Sequence, residues 1–291
     1  MRSFSDYNPI SVFVFYACVI VPVMFCVNPV LSCISLAGAL AFLFAKQGAK
    51  ASKKLVFLVF PLIGALINPL FVHKGTTNLF ILNDNPVTLE SLLYGLVMGM
   101  LISSTILWFS SFNSIMTSDK LLYIFGTVSP KIALILSMAL RYIPLYGQQV
   151  KKVRQAQKVI GLYKEDNAID KIRAGSRIFS VMVSWALENG VITADSMTAR
   201  GYGTCRRTRF SIFRWFAQDY MLLGASILLT AVLISVMAFK GLDYIWYPVL
   251  ETPKNNAFTI AAYICYAALA LTPSYLQIRE ESKWRSLQQE I

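Results

Sequence analysis

The sequence predicts an all-α membrane protein with about six transmembrane helices and a large helical insert between the fourth and the fifth. Two observations carry this prediction. The chain of 291 residues is 56% hydrophobic and has a mean hydropathy of +0.56, which is typical of membrane proteins. Its charge is also uneven, because apolar runs at both ends carry almost none and a basic, helix-patterned segment, 113–219, lies between them.

Six apolar runs are each near the roughly 20 residues that a helix needs to cross a bilayer. They are Ile10–Val27, Val30–Ala45, Leu55–Val72, Leu89–Phe112, Tyr220–Phe239 and Ala257–Leu276. We therefore divide the chain into three regions. N-terminal membrane helices occupy 1–112, a cytoplasmic helical region occupies 113–219, and C-terminal membrane helices with a cytoplasmic tail occupy 220–291.

Two local patterns bear on how the spans pack. Gly95 and Gly99 form a GxxxG pattern in span four, and such a pattern allows another helix to approach closely. Pro61 and Pro69 interrupt span three and predict a kink there, since proline removes helix hydrogen bonds.

The basic residues set the orientation of the chain. With the N-terminus in the cytoplasm, six spans place 24 of the 27 Lys and Arg on the inside, and only Lys74, Lys240 and Lys254 on the outside. This distribution follows the positive-inside rule, so we expect both termini and 113–219 to be cytoplasmic. The rule also accounts for most of the net charge of +12. The basic excess therefore does not point to nucleic acid, and no nucleic-acid partner is expected.

The sequence offers no residue set for catalysis or for a bound metal ion. Its 5 cysteines include no CxxC pair, and its only histidine, His73, has no cysteine or carboxylate cluster nearby, so the usual zinc patterns are missing. A GxxxxGK[ST] loop for cradling phosphates is missing as well. We therefore predict a protein that is not an enzyme and needs no cofactor and no metal.

Two long helices are predicted inside the insert. The first begins after Ser129, with Pro130 in its first turn. The second runs from about Ala168 to Arg200, and we expect Gly190 to break or bend it. Large apolar side chains occupy more than one face of its middle: Phe179, Met182, Val183 and Trp185. A cytoplasmic helix this apolar must be covered by protein or lie against lipid.

Four segments carry a resemblance to a known family. They are Tyr7-Asn8-Pro9, Asn68-Pro69-Leu70-Phe71, Thr117-Ser118-Asp119-Lys120 and, most specifically, the run from Ala194 to Tyr202. This last run matches the A-x-x-x-x-ARG-Y signature at the end of a coupling helix. The chain resembles, nearly end to end, the transmembrane (T) component of energy-coupling factor transporters, the CbiQ-like family.

The resemblance implies a scaffold and coupling subunit of an ABC-type importer, located in the cell membrane as a multi-pass protein. Such a subunit binds two ABC-type ATPase subunits, identical or different, through two cytoplasmic coupling helices. It transmits their motion to a small substrate-binding membrane subunit that takes up a micronutrient such as a vitamin or a metal ion like cobalt. ATP hydrolysis is then expected in the partners. The second motif maps onto Ala199, Arg200 and Gly201, with Arg200 as its central arginine.

The first motif maps onto Ala156, Gln157, Lys158 and Gly161. Many members carry an arginine at the position of Ile160. Either Lys158 or Arg154 substitutes for that arginine, or the facing ATPase groove is apolar, and the sequence leaves these alternatives open.

The apolar residues of the second helix also have two interpretations. We expect part of the surface formed by Phe179, Met182, Val183 and Trp185 to contact the substrate-binding subunit. The alternative is that these side chains pack only within the insert or dip into lipid.

Two other functions compete with the coupling subunit. A conventional ABC permease, which holds substrate itself, needs polar or charged groups inside its spans, and here these are mainly Asn68 with scattered Ser and Thr. A membrane-embedded transferase needs clustered acidic residues for a metal-bound substrate. Asp166, Asp170 and Asp195 are instead scattered among basic residues.

Overall fold

The structure is a computed structural model that describes residues 4–47, 54–82, 85–161, 168–204, 213–250 and 256–289. The chain divides into two compact units. We call Met1–Leu121 together with Phe213–Ile291 the membrane unit, and Leu122–Ile212 the insert unit. Each is described separately below.

The described residues are mostly helical. A short 3-10 helix, Phe4–Asp6, opens them. The α-helices in chain order are α1 (Pro9–Phe25), α2 (Pro29–Gln47), α3 (Val59–Phe71), α4 (Leu89–Ile115), α5 (Ser118–Val128), α6 (Pro130–Val159), α7 (Ala168–Ala199), α8 (Ala217–Ala238) and α9 (Ala257–Gln289). Helices α1 to α4, α8 and α9 belong to the membrane unit, whereas α6 and α7 belong to the insert unit.

Every predicted span coincides with a helix, and the all-α membrane fold is confirmed. Five described segments are long and apolar enough to cross a membrane: Pro29–Lys46, Lys54–Phe71, Leu89–Ile115, Ala217–Ala238 and Ala257–Trp284. The first predicted span is a shorter apolar helix, α1, of 17 residues.

Span three changes helix type just before Pro61. A 3-10 segment, 54–58, precedes α3, and the α-helix itself begins at Val59. Pro61 therefore lies in the first turn, where a missing backbone N–H costs little because the first turn has no partner for it. Pro69 remains inside the helix near its end.

Glycines bring α3 and α4 into backbone contact. A Cβ atom added at Gly95 would overlap the carbonyl oxygen of Gly64 and lie 2.7 Å from Cβ of Asn68. One added at Gly99 would lie 2.5 Å from Cα of Pro61. The GxxxG pattern in span four therefore mediates a close helix approach, as predicted.

An aromatic core fills the centre of the membrane unit. The buried ring of Phe4 lies 5.5 Å from that of Phe15 and 5.8 Å from that of Phe42. The Trp108 ring stacks on Phe42 at 6.4 Å, and its Nε1 donates to Oγ of Ser35 at 3.2 Å. The 3-10 helix before α1 is thus part of the core, which the sequence did not indicate.

Buried Asp219 joins the N-terminus to the beginning of α8. Its Oδ1 accepts a hydrogen bond from the backbone N–H of Asn8 at 2.8 Å, and its Oδ2 accepts one from the N–H of Phe216 at 2.9 Å. The Ser11 hydroxyl donates to the Asp219 carbonyl oxygen at 3.2 Å. A carboxylate at this position also suits the positive end of the helix dipole. The Tyr7-Asn8-Pro9 segment therefore has a packing role.

Lys120 makes the matching connection where the chain leaves the membrane unit. Its ammonium group donates to the carbonyl oxygen of Ser5 and, at 3.0 Å, to that of Ile115. Burial lowers the pKa of Lys120, and the nearby Asp6 carboxylate opposes that shift. Lys120 and Asp219 thus fix the N-terminal segment beside both points at which the chain passes to the insert unit.

A β-hairpin precedes α4 and was not predicted. Strands β1 (Asn78–Leu82) and β2 (Asn85–Thr88) pair antiparallel. An isolated two-stranded hairpin is only marginally stable. Here the buried Glu90 carboxylate accepts hydrogen bonds from the backbone N–H groups of Thr76 and Thr77, at 3.3 and 3.2 Å, and from the Thr77 hydroxyl at 2.8 Å. This bonding holds the segment before β1 to the first turn of α4.

Candidate functional site

The C-terminal end of α7 is a complete glycine cap. The backbone N–H of Tyr202 donates to the Met197 carbonyl at 3.0 Å, and that of Gly201 donates to the Thr198 carbonyl at 2.9 Å. This pair of bonds is the Schellman arrangement, which requires a left-handed residue after the helix. Gly201 supplies it with φ of 71°. Arg200 is the last residue before the chain reverses, and its side chain is exposed.

The C-terminal end of α6 has a closely similar geometry. The N–H of Ile160 donates to the Ala156 carbonyl at 3.2 Å, and that of Gly161 donates to the Lys158 carbonyl at 3.1 Å. Gly161 is left-handed, with φ of 75°. Ile160 therefore occupies in α6 the position that Arg200 occupies in α7, and it is 70% exposed.

The remaining residues of the two motifs differ in exposure. Ala156, Lys158 and Gly161 at the end of α6 are exposed, as are Ala199 and Gly201 at the end of α7. Gln157 is different, because only 8% of it is exposed. Its side-chain oxygen has no hydrogen-bond partner among the described residues. Gln157 therefore does not belong to the exposed surface of the first motif.

Two tyrosines of α6 contact α7, and neither was predicted from the sequence. The Thr193 hydroxyl donates to the Asn189 carbonyl at 2.7 Å, so the hydroxyl of Tyr142, 2.7 Å away, is the donor to Thr193 Oγ1. The Tyr146 ring stacks on Tyr142 at 5.7 Å and meets the ring of Trp185 edge-on at 5.4 Å. Their spacing of four residues, which puts both rings on one helix face, was the available signal.

The predicted apolar surface of α7 lines a groove against α6. The groove has a volume of about 390 Å³, and its lining includes Tyr146, Ile178, Phe179, Met182 and Val183. Phe179 is 71% exposed and Val183 is also exposed, whereas Met182 is half-buried.

The remaining members of that apolar face are covered to different degrees. Trp185 is half-buried, because it packs on Tyr146. The buried positions of α7 are Ala174 and Ile178, which the sequence analysis did not single out.

The second helix of the insert is continuous through Gly190, so the expected break is wrong. A Cβ atom at Gly190 would meet nothing within 4 Å, so space does not require glycine there. Gly190 instead borders a second cavity of about 360 Å³ near the end of α7, together with Met138, Tyr142, Met197 and Tyr202. Glycine inside a helix costs only about 1 kcal/mol relative to alanine, so a helix of 32 residues can continue through it.

The one amide singled out inside the spans takes part in helix packing. The side-chain amide of Asn68 donates to the Ser91 carbonyl at 2.6 Å and so joins α3 to α4. Within the described ranges, no three His, Cys, Asp or Glu side chains are grouped closely enough to hold a metal ion.

Comparison with known proteins adds an independent observation. The model of the CbiQ family, described as cobalt transport protein, matches residues 2–212. The chain belongs to the CbiQ family. The match covers α1 to α4 and both helix ends of the insert unit. This CbiQ-family protein is therefore a T component of energy-coupling factor transporters, and it is a multi-pass membrane protein.

Individual relatives support the same family assignment. Over 202 residues the chain is 30% identical to energy-coupling factor transporter transmembrane protein EcfT 1 of Listeria monocytogenes, covering 64% of this chain and 73% of that protein. It is 26% identical to EcfT of Macrococcus caseolyticus over 214 residues, covering 68% and 77%. A third match, 30% identical to EcfT of Lactobacillus helveticus over 117 residues, covers 40% of this chain and 42% of that protein.

Proposed function

We propose that this CbiQ-family protein couples two ABC-type ATPase subunits to a small substrate-binding membrane subunit during micronutrient uptake. In this role the chain hydrolyses no ATP itself. It holds the partners and transmits the movement of the ATPases across its insert unit. The transported compound, a vitamin or a metal ion, is selected by the substrate-binding subunit.

The observation that carries this proposal is the exposed Arg200 at the capped end of α7. A guanidinium group is always charged and presents a rigid fork of donors that matches a carboxylate. At a helix C-terminus it also suits the negative end of the helix dipole. Because the cap fixes the residue before the reversal, Arg200 projects from a defined backbone position rather than from a loose loop. An acidic groove on an ATPase is the surface that fits it.

The end of α6 supports a second contact of different chemistry. Ile160 takes the place of an arginine on the same type of cap, and Val159 beside it is also exposed. Lys158 is the adjacent exposed cation. We propose that the ATPase groove facing α6 is mainly apolar and that Lys158 adds a weaker charged contact. Two different ATPase subunits fit this asymmetry better than two identical ones.

The groove between α6 and α7 supports the contact with the substrate-binding subunit. Phe179 and Val183 leave apolar surface uncovered in the insert unit, and exposed apolar patches commonly mark protein or membrane contacts. Aromatic anchors contribute about 2 kcal/mol or more in such interfaces. We propose that Phe179, Met182, Val183 and Trp185 present the anchoring surface, with the groove beside them receiving a partner side chain.

The membrane unit supports coupling over a conventional permease. A permease holds substrate on polar groups inside its spans, whereas the amide of Asn68 is used between α3 and α4. The charge distribution also supports an orientation in which both termini and 113–219 face the cytoplasm, where ATP is present.

Copurification tests the central contact. A tagged chain is purified from its own cells, and the ABC-type ATPases that accompany it are quantified by mass spectrometry. Arg200→Glu is expected to remove them, because it places an anion against an acidic groove. Loss of a charge pair of this kind costs on the order of 2–5 kcal/mol. Arg200→Lys should retain part of the binding, since the charge stays and the fork is lost.

A matched control separates this effect from a general change in charge. Arg173 is exposed near the beginning of the same helix, and Arg173→Glu makes the same change in net charge far from the cap. It should leave ATPase recovery unchanged. Normal recovery with Arg200→Glu would refute the proposed contact.

A further inference from the structure

A pocket with aromatic walls lies in the membrane unit and has no part in the coupling proposal. Its volume is about 310 Å³, at the small end of the roughly 300–1,000 Å³ that ligand pockets span. Its lining includes Phe25, Tyr94, Asp243, Tyr244 and Trp246.

The pocket is at a defined end of the membrane helices. Phe25 is the last residue of α1, Tyr94 lies near the beginning of α4, and the residues after 238 follow the end of α8. The chain leaves this unit after the opposite end of α4 and returns before the opposite end of α8. The pocket is therefore at the end of the helices away from both connections.

Three rings in the lining meet at steep angles. The Tyr94 ring lies 5.3 Å from Trp246 with an interplanar angle of 81°. The Tyr244 ring lies 4.5 Å from Trp246 at 60°. All three rings belong to the lining, so the pocket has aromatic walls on more than one side. The face of an aromatic ring carries partial negative charge, and its edge carries partial positive charge.

Hydrogen bonds hold the walls in place. Trp246 is 8% exposed, and its Nε1 donates to the Val27 carbonyl at 3.1 Å. The Leu242 carbonyl accepts from the Asn28 amide at 3.1 Å and from the Cys26 thiol at 3.4 Å. These bonds tie the segment that carries Asp243, Tyr244 and Trp246 to the turn after α1. A preformed pocket loses little conformational entropy when it binds a ligand.

The chemistry of the lining selects a cation. Asp243 is the one acidic residue among the described residues that line the pocket, and it shares this lining with three aromatic rings. Ring faces attract cations, and aromatic cages are a recurrent site for alkylated ammonium groups. A small metal ion is a poorer match, because it requires several oxygen ligands. A weakly hydrated organic cation loses little hydration free energy when it enters such a pocket.

We propose that this pocket binds the ammonium group of an organic cation between Tyr94, Tyr244 and Trp246, with the Asp243 carboxylate as its counter-ion. Two sources share this chemistry. One is a soluble alkylammonium compound, and the other is an ammonium-bearing lipid headgroup at the bilayer surface.

The test uses the full chain in nanodiscs made only of phosphatidylglycerol, which has no ammonium group. Tetramethylammonium chloride is titrated against a matched series of sodium chloride, with tryptophan fluorescence as the readout and the thermal unfolding midpoint as the second. A saturable change specific to tetramethylammonium is expected. Asp243→Asn should weaken it about tenfold, and Tyr244→Leu should weaken it by a similar factor. Exposed matched controls, Asp119→Asn and Tyr275→Leu, should titrate like the unchanged chain.

A second set of nanodiscs identifies the source. If phosphatidylethanolamine in the disc weakens tetramethylammonium binding, the lipid headgroup occupies the pocket. If it has no effect, the ligand is a soluble cation. The proposal is overturned if tetramethylammonium and sodium chloride give the same curve in phosphatidylglycerol discs, or if Asp243→Asn and Tyr244→Leu, both folded as judged by their unfolding midpoints, titrate like the unchanged chain.

Discussion

Ile160 and Arg200 occupy equivalent positions at the ends of two helices, each followed by a left-handed glycine. Gly161 has φ of 75° and Gly201 has φ of 71°. The backbone of the insert unit therefore repeats one type of helix end, while the exposed side chains differ in charge, shape and hydrogen-bonding capacity. Substitutions at the two helix ends are therefore expected to change ATPase binding by different amounts.

The two helix ends are expected to contribute unequally to ATPase binding. Arg200→Ala should weaken binding by about 2 kcal/mol or more, and Lys158→Ala by less, because a flexible ammonium makes a looser contact than a bidentate fork. Ile160→Ala should fall between them if the facing groove is apolar. Affinities of the purified chain for its ATPases decide the order. Equal losses for Lys158→Ala and Arg200→Ala would contradict this ranking.

The glycine cap of α7 should matter for the placement of Arg200. Gly201→Ala forces a side chain into the left-handed region at a cost of roughly 1 kcal/mol, so the last turn should fray and ATPase affinity should fall about fivefold. Gly190→Ala in the same helix is the control, since its added Cβ meets nothing within 4 Å. It should keep the affinity and stabilise the helix slightly. An unchanged affinity for Gly201→Ala would show that the cap does not position Arg200.

The orientation of the chain can be read by labelling. Single cysteines at positions 74 and 254, in a background without the natural cysteines, should react with an impermeant thiol reagent in intact cells. A cysteine at position 164 should not react until the membrane is opened. Positions 164 and 254 lie outside the described residues, so this expectation comes from the charge distribution alone. Labelling at 164 in intact cells would reverse the predicted topology.

The apolar face of α7 should crosslink to a third protein. Photoreactive residues at 179, 182, 183 and 185 are introduced one at a time into the assembled complex. Position 179 is expected to react most with the substrate-binding subunit, because Phe179 is the most exposed of the four. Position 185 should react mainly within the chain, since Trp185 packs on Tyr146. Adducts confined to this chain and to lipid at all four positions would refute docking.

The glycine contact between α3 and α4 should be intolerant of any side chain. Gly95→Ala places a methyl group on the Gly64 carbonyl and near Asn68. It should destabilise the membrane unit by about 1–3 kcal/mol. Gly224→Ala in α8 is the matched control, because its added Cβ meets nothing within 4 Å. Thermal unfolding in detergent compares them. Equal unfolding midpoints for Gly95→Ala and Gly224→Ala would contradict a role for the glycine contact in stability.

The sequence by itself determined the membrane helices, the beginning of the first insert helix and the bounds of the second. Long apolar runs can only be helical in a bilayer, because every backbone polar group must be bonded internally. Glycine after an amphipathic run commonly ends a helix in a left-handed residue, and this is why the second insert helix could be predicted to end before Gly201. Arg200 at a helix end followed from the same local rule.

Only the tertiary structure decided which side chains meet across long stretches of chain. Asp219 accepts a hydrogen bond from the N–H of Asn8, Tyr142 donates one to Thr193, and Glu90 accepts one from the N–H of Thr77. None of these pairs follows from periodicity, since hydropathy records how apolar a position is and not which distant partner it reaches. At Gly190 a local signal was misleading: α7 continues through this residue, because one glycine costs a helix only about 1 kcal/mol relative to alanine.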